Sequence, residues 1–309
     1  TCRSSRPAVR IRVATRGSAL ARWQADSVAG LLTDAAPGIE VVIVVVLTTG
    51  DRDRTTPLEQ MGGQGVFVKE VQTAVLEGRA DLAVHSAKDL PGASTDGLVL
   101  AAGPERADPR DALVGCRWVD LPVGATVATG SIRRRAHLAH PRPDLLFVGL
   151  RGNIETRLAR VSDVDAVVTA MAALDRLGLA PDIVDPLEPA VLLPQVAQGA
   201  LAVECRDDDE LRTLLATIED PSARRAVDAE RAFLAELGAG CDLPIAAHSR
   251  LLVDGSAAGG IVVTGALSSP DGTTLLREER TGTDGTSLGR AIARHLLDDR
   301  GGAALMGVS

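Results

Sequence analysis

Three groups of residues carry side chains with chemistry to do. The first is Cys241, in GAGCDLPIAA (238–247), set between glycines and a proline, after a helical pattern and before strand patterns. A thiol in such a loop reads as a buried structural group, a nucleophile or a covalent anchor. A cysteine nucleophile normally works with a histidine, and nothing in the sequence pairs Cys241 with the nearest one, His248. The second is His85-Ser86-Ala87-Lys88-Asp89, which follows the apolar DLAV. Asp89 reads as a salt-bridge partner or helix cap, or as a lone carboxylate that moves protons and stabilises a cation. Lys88 suits a substrate carboxylate; Schiff-base chemistry is open to any buried lysine, but nothing here requires it. The third is a pair of strand-to-helix turns, Thr15-Arg16-Gly17-Ser18 and Thr129-Gly130-Ser131. Backbone N–H groups and hydroxyls at helix starts make anion sites. Arg16, Arg133 and Arg134 lie beside these turns, and Arg151 and Arg157 flank the turn RGNIETR.

Charge sharpens the third group. The 309 residues carry a net charge of −8, which argues against general nucleic-acid binding. Yet residues 128–160 hold seven arginines, at 133, 134, 135, 142, 151, 157 and 160, against only Asp144 and Glu155. That excess reads as a solvated helix face or as a pocket for a polyanionic small molecule, since guanidinium forks match carboxylates.

The elements that must position these groups follow from the apolar pattern. Apolar residues make up 45% of the chain and aromatics only 2%, so the interior is aliphatic and large enough for two or three domains. The β-branched run VVIVVVL (41–47) reads as a buried strand. No apolar run reaches the length of a membrane span, and the segment TCRSSRPAVR has no secretory h-region. The four cysteines are scattered without a CxxC pair. Neither a zinc site nor a disulfide framework is expected, and a reducing, cytoplasmic setting fits. P-loop and GxGxxG patterns are absent, so no nucleotide, flavin or metal is expected.

Two halves of the chain echo each other. IRVATRGSALAR (11–22) parallels ATVATGSIRRR (125–135), VVIVVVLTTGD (41–51) parallels LLFVGLRGNIE (145–155), and DLAVHSAKDL (81–90) parallels DAVVTAMAAL (165–174), in one order. Alternating strands and helices in each half imply two α/β lobes with mainly parallel sheets. GPERADPRDA (103–112) and LLPQVAQGA (192–200) read as two crossings between them. The expected domains are 8–104 plus 198–219, 105–197, and a smaller C-terminal α+β domain, 220–309. The last holds a helix over 222–238, strand runs split by DG turns, and a closing helix over 287–299.

At this point the motifs resemble those of the porphobilinogen deaminase (hydroxymethylbilane synthase) family. The matching pieces, in order, are IRVATRGSALARWQA, PLEQMGGQGVFVKE, ADLAVHSAKDLP, ERADPRDALV, TGSIRRR, LRGNIETRL, LDRLGL, QVAQGALAVECR and GAGCDLPIAA, spanning nearly the whole chain. The resemblance implies two lobes like those of periplasmic binding proteins, a third domain, and a monomer. It implies that Cys241 carries a dipyrromethane cofactor through a thioether. Four porphobilinogen units are then added with release of ammonia, and water frees the linear tetrapyrrole. Lys88, Ser86, Thr129, Ser131, Arg133 and Arg134 would hold cofactor carboxylates, with Arg176 and Gln198 as weaker carry-overs. Arg16, Ser18, Arg151 and Arg157 would hold incoming porphobilinogen. Asp89 would be catalytic, hydrogen-bonding pyrrole N–H groups and stabilising the cation left when ammonia departs. Two positions depart from the pattern: Gln64, where many members have lysine, and Asp242, where glutamine is common. Phe67 covers the cleft or fills the core. The competing readings are a two-lobed protein that binds a polycarboxylate without chemistry and a cysteine-dependent transferase without cofactor. A covalent pyrrole adduct separates the first reading from both.

Overall fold

The computed structural model describes residues 9–48, 67–238, 243–252 and 259–306. Cys241, Asp242 and Gln64 lie outside the described residues. The chain begins with β1 (Val9–Arg16), α1 (Ala19–Ala35), β2 (Ile39–Val46), α2 (Lys69–Leu76), β3 (Leu82–Ser86) and β4 (Leu98–Ala102). It continues with β5 (Asp111–Val114), β6 (Thr126–Ala128), α3 (Ile132–Ala139), β7 (Leu146–Val148), α4 (Ile154–Leu158), β8 (Ala166–Ala170), α5 (Met171–Leu177) and β9 (Val184–Leu187). Then come β10 (Leu201–Arg206), α6 (Asp209–Ala216), α7 (Pro221–Leu237), β11 (Ile245–Leu251), β12 (Ile261–Ser268), β13 (Leu275–Gly282), α8 (Gly285–Arg294) and α9 (Gly302–Leu305).

Two compact units result. One takes in residues through Arg106 together with Leu201–Arg224; the other takes in Ala107–Ala200 and everything from Arg225. The first unit is built on a five-stranded sheet in the order β2-β1-β3-β10-β4. β1 runs parallel to β2 and β3, while β10 is antiparallel to both its neighbours. The second unit repeats this plan as β7-β6-β8-β5-β9, with β6 parallel to β7 and β8 and β5 antiparallel to its neighbours. The three echoed segment pairs of the sequence are therefore equivalent strands: β2 and β7 at the edge, β1 and β6 next to them, and β3 and β8 at the centre, beside the antiparallel strand. In each sheet the antiparallel strand follows a crossing. β5 follows the first crossing and β10 the return.

The cores are aliphatic, as the composition requires. Val13, Val28, Leu32, Leu82, Val203 and Leu215 are buried in the first sheet's main cluster, and Leu113, Val127, Leu138, Val168 and Leu192 in the second's. Each such side chain contributes roughly 1.5–3 kcal/mol by leaving water. The second unit also holds the three-stranded antiparallel sheet β11-β12-β13, with α7 and α8 packed so closely that a Cβ at Gly289 would lie 2.2 Å from the Ala229 carbonyl oxygen. This sheet is joined to the second lobe by α3. His140 Nδ1 lies 3.0 Å from the Gly272 carbonyl oxygen, His137 Nε2 lies 3.3 Å from that of Pro244, and Leu193 packs with Ala246 and Ala266.

Candidate functional site

In the first unit the expected site residues stand at the carboxyl ends of parallel strands, where open α/β sheets bind ligands. Arg16 is the last residue of β1 and Ser86 the last of β3; the register Ala14 to Ala83 sets them at one edge. Ser18 is the N-cap of α1 and its Oγ accepts the Ala21 N–H at 3.3 Å, which leaves its own proton to donate. The Arg16 guanidinium carbon lies 4.0 Å from the centroid of the Phe67 ring, a cation–π contact that fixes a long side chain at little cost. Phe67, half-buried, thus backs an arginine.

β3 passes directly into a 3-10 turn, Ala87–Asp89, which presents Lys88 and Asp89, both half-buried. Two polar networks set this turn from opposite faces of the sheet. On one face, Gln24 of α1 donates to Ser86 Oγ at 2.8 Å. On the other, His85 Nε2 lies 3.1 Å from Glu204 Oε2, to which Gln72 Nε2 donates at 2.8 Å, all three residues being buried. Asp89 has no ion-pair or hydrogen-bond partner among the described residues.

In the second unit the equivalent turns meet. Thr129 follows β6; its N–H donates to the Val148 carbonyl oxygen at 2.9 Å and its Oγ1 accepts the Ser131 N–H at 3.2 Å. Ser131 caps α3, with Oγ accepting from Arg134 N–H at 3.4 Å. Gly130 is obligatory by sterics, since a Cβ there would stand 2.5 Å from the Leu150 carbonyl oxygen. That approach brings the turn carrying Arg151 beside Thr129 and Ser131. Asn153 Oδ1 caps α4 by accepting the Thr156 N–H at 2.9 Å, and Arg157 Nε donates to the Gly152 carbonyl oxygen at 2.8 Å.

Four other expected site residues face inward. Arg133 and Arg134 are 4% and 8% exposed and converge on Asp111, which is fully buried. Arg133 Nη2 donates to Asp111 Oδ2 at 2.6 Å, and Arg134 Nε and Nη2 donate to Oδ1 at 3.0 and 2.7 Å. Gln198 Nε2 adds a bond to Oδ1 at 3.0 Å and one to the Pro109 carbonyl oxygen at 2.8 Å. Burial pushes the Asp111 carboxyl up, but the charges of Arg133 and Arg134 more than offset this and hold it well below the usual carboxylate range. Arg176 Nη2 donates to the Gly199 carbonyl oxygen at 2.6 Å, and burial pulls its guanidinium down to about 10.

Sequence reading missed Gln24, Asp111 and Glu230. Gln24 and Glu230 each interrupt the apolar face of a helix, between Ala21 and Val28 in α1 and between Val227 and Phe233 in α7. A polar residue on an apolar stripe was the available signal. Glu230 Oε2 accepts the N–H of Ala197, whose φ of 58° lies in the left-handed region, and Oε1 accepts that of Ser249. It thereby holds a strained turn in the returning crossing. Asp111 had no such signal, because its partners are brought to it by the fold.

In each unit taken by itself the cations, hydroxyls and capped helix starts at the ligand end of the sheet suit carboxylates. Among the described residues no group of three or more His, Cys, Asp or Glu side chains is arranged to hold a metal, and no helix is long and apolar enough to cross a membrane.

Comparison with known proteins shows the family. Residues 11–213 match the model "Porphobilinogen deaminase, dipyromethane cofactor binding domain", and residues 224–298 match "Porphobilinogen deaminase, C-terminal domain". The porphobilinogen deaminase of Geobacter metallireducens is 43% identical over 296 residues, covering 94% of this chain and 92% of its own. That of Acidothermus cellulolyticus is 45% identical over 299 residues, covering 93% and 88%. Among solved structures, an amino acid ABC transporter substrate-binding protein from Streptococcus pneumoniae aligns over 68% of this chain and 86% of its own, with 16% identity and a TM-score of 0.37, too low to carry any inference. The chain belongs to the porphobilinogen deaminase family.

Proposed function

We propose that this chain condenses four porphobilinogen molecules on a dipyrromethane group attached to Cys241, releases ammonia at each addition, and hydrolyses off hydroxymethylbilane. Family membership supports the reaction class. The observation that ties it to this chain is Asp89, a half-buried carboxylate with no partner among the described residues, at a strand end shared with Arg16, Ser86 and Lys88. The dipyrromethane group, when bound, supplies the pyrrole carbon to which the first unit is joined. The chain's own residues do the rest. Lys88, Ser86, Thr129 and Ser131 bind carboxylates of the bound pyrroles, with Arg133, Arg134, Arg176 and Gln198 in support. Arg16, Ser18, Arg151 and Arg157 bind those of the incoming unit. Asp89 accepts pyrrole N–H bonds, offsets the positive charge that develops on the substrate as ammonia leaves, and takes part in proton transfer. Each porphobilinogen brings an acetate and a propionate, which accounts for so many cations in an acidic protein.

The division into two lobes and a C-terminal domain at about 220 belongs to this reading, as do a cytoplasmic setting, supported by the scattered cysteines, and a monomer without an obligate protein partner. Intact-protein mass tests it. The purified chain is expected to carry the mass of two linked pyrrole units, and Cys241→Ala to lack it. No added mass in either, even after incubation with porphobilinogen, would favour the two-lobed binding protein instead.

A further inference from the structure

Asp111 gathers side chains from separate parts of the second unit. Arg133 and Arg134 come from the first turn of α3, and Gln198 from the returning crossing. Asp111 itself stands opposite Ala170, the last residue of β8, at the ligand end of the sheet. Both guanidiniums are also tied elsewhere: Arg133 Nη1 donates to the Leu193 carbonyl oxygen at 2.6 Å, and Arg134 Nη1 to that of Val168 at 3.1 Å. Each fork is thus fixed at two points before any ligand arrives.

Two consequences follow. The rotamer entropy of two long side chains is already spent in the folded chain, so less is lost when a ligand is held. And two guanidiniums with one carboxylate carry one net positive charge, not two. A buried Arg–Asp–Arg cluster is weak evidence for stability as such, because well-packed apolar residues can do as well. A site that must hold a growing polyanion and still release it has a use for both features.

We propose that Asp111 is a positioning residue for the reaction: it locks Arg133 and Arg134 in one arrangement and limits their joint charge to what a single ligand carboxylate neutralises. Asp111 touches no substrate; it acts through the two arginines. The inference rests on the proposed role of those arginines toward the covalently bound pyrroles.

The test is Asp111→Asn, nearly isosteric, which leaves two arginines uncompensated and keeps one acceptor for them. The expected result is turnover per loaded chain lowered about tenfold, KM for porphobilinogen unchanged or lower, and a build-up of chains bearing one to four extra pyrrole units in the intact-mass spectrum. A merely structural role would lower the loaded, folded fraction and leave the distribution of masses as in the wild type. Should Asp111→Asn not fold, Gln198→Met removes the hold from the crossing without changing charge, and the same shift in masses is expected at smaller amplitude. Wild-type turnover and mass distribution per loaded chain in whichever variant folds would overturn the proposal. Arg134→Gln separates the two layers of argument. If it alters elongation while Asp111→Asn and Gln198→Met do not, only the role of Asp111 fails. If no chain, wild type included, carries pyrrole mass, the reading beneath it fails.

Discussion

Asp89 and Asp111 are carboxylates at the ligand ends of equivalent sheets, and their surroundings give them different work. Asp111 is buried and saturated by arginine and glutamine donors, so it is an ion that holds other ions in place. Asp89 is half-buried and carries no partner among the described residues. A half-buried carboxylate at the strand end shared with Arg16 and Lys88 is suited to stabilising a transient positive charge. Asp89→Asn preserves shape and removes that charge. Turnover is expected to fall at least about 100-fold, with the covalent pyrrole mass retained because Cys241 is untouched. Near-wild-type turnover in a fully loaded Asp89→Asn sample would take the catalytic role away from this residue.

The elements that carry these groups differ in how far they could be read ahead. The strand–turn–helix units β1–α1 and β6–α3 were legible, because a β-branched or apolar run, a Gly-Ser turn and a capping hydroxyl are local signals. The antiparallel strand next to the far edge of each sheet was not. β5 and β10 are short apolar runs, and only the tertiary pairing of each with its neighbours fixes their direction. For the same reason the motif placed Arg133 and Arg134 at the right helix but could not give their aim, since Asp111 lies more than twenty residues away and meets them only in the fold. The closing helix of 287–299 formed as α8 up to Arg294, with a π-helical turn, His295–Asp299, completing it. Close approach between turns is likewise a tertiary fact, and it makes a sharp prediction. At Gly130 a Cβ would press on the Leu150 carbonyl oxygen, whereas at Gly149 it would meet nothing within 4 Å. Gly130→Ala is expected to lose about 1–3 kcal/mol in denaturant unfolding and, by pushing apart the turns that carry Ser131 and Arg151, to raise KM for porphobilinogen several-fold. Gly149→Ala serves as the control and should do neither. Equal effects from both would mean that the contact between the turns is not what orders them.

At the scale of the molecule, the C-terminal sheet falls in one compact unit with the second lobe, and the seam between the two explains it. Arg277 Nη1 donates to the Pro189 carbonyl oxygen at 3.0 Å, Leu193 packs with Ala246 and Ala266, and α3 faces the sheet with His137 and His140. His137 is the acid-sensitive member. Burial, then the charge of Arg133, pulls its imidazole down to about 3; Arg277 acts in the same direction, and the bond to the Pro244 carbonyl and the charge of Asp111 oppose it. A histidine held neutral in the folded state stabilises it fully above the unfolded value of about 6.5. As pH falls below that value the unfolded chain gains a proton that the folded chain does not, so stability is lost progressively toward pH 3. His137→Gln can keep a donor to the Pro244 carbonyl without a titrating ring. Its melting temperature should therefore fall less steeply than the wild type's between pH 6.5 and 4.5, with the two curves parallel above pH 7. Parallel curves through the acid range would place the acid-sensitive group elsewhere.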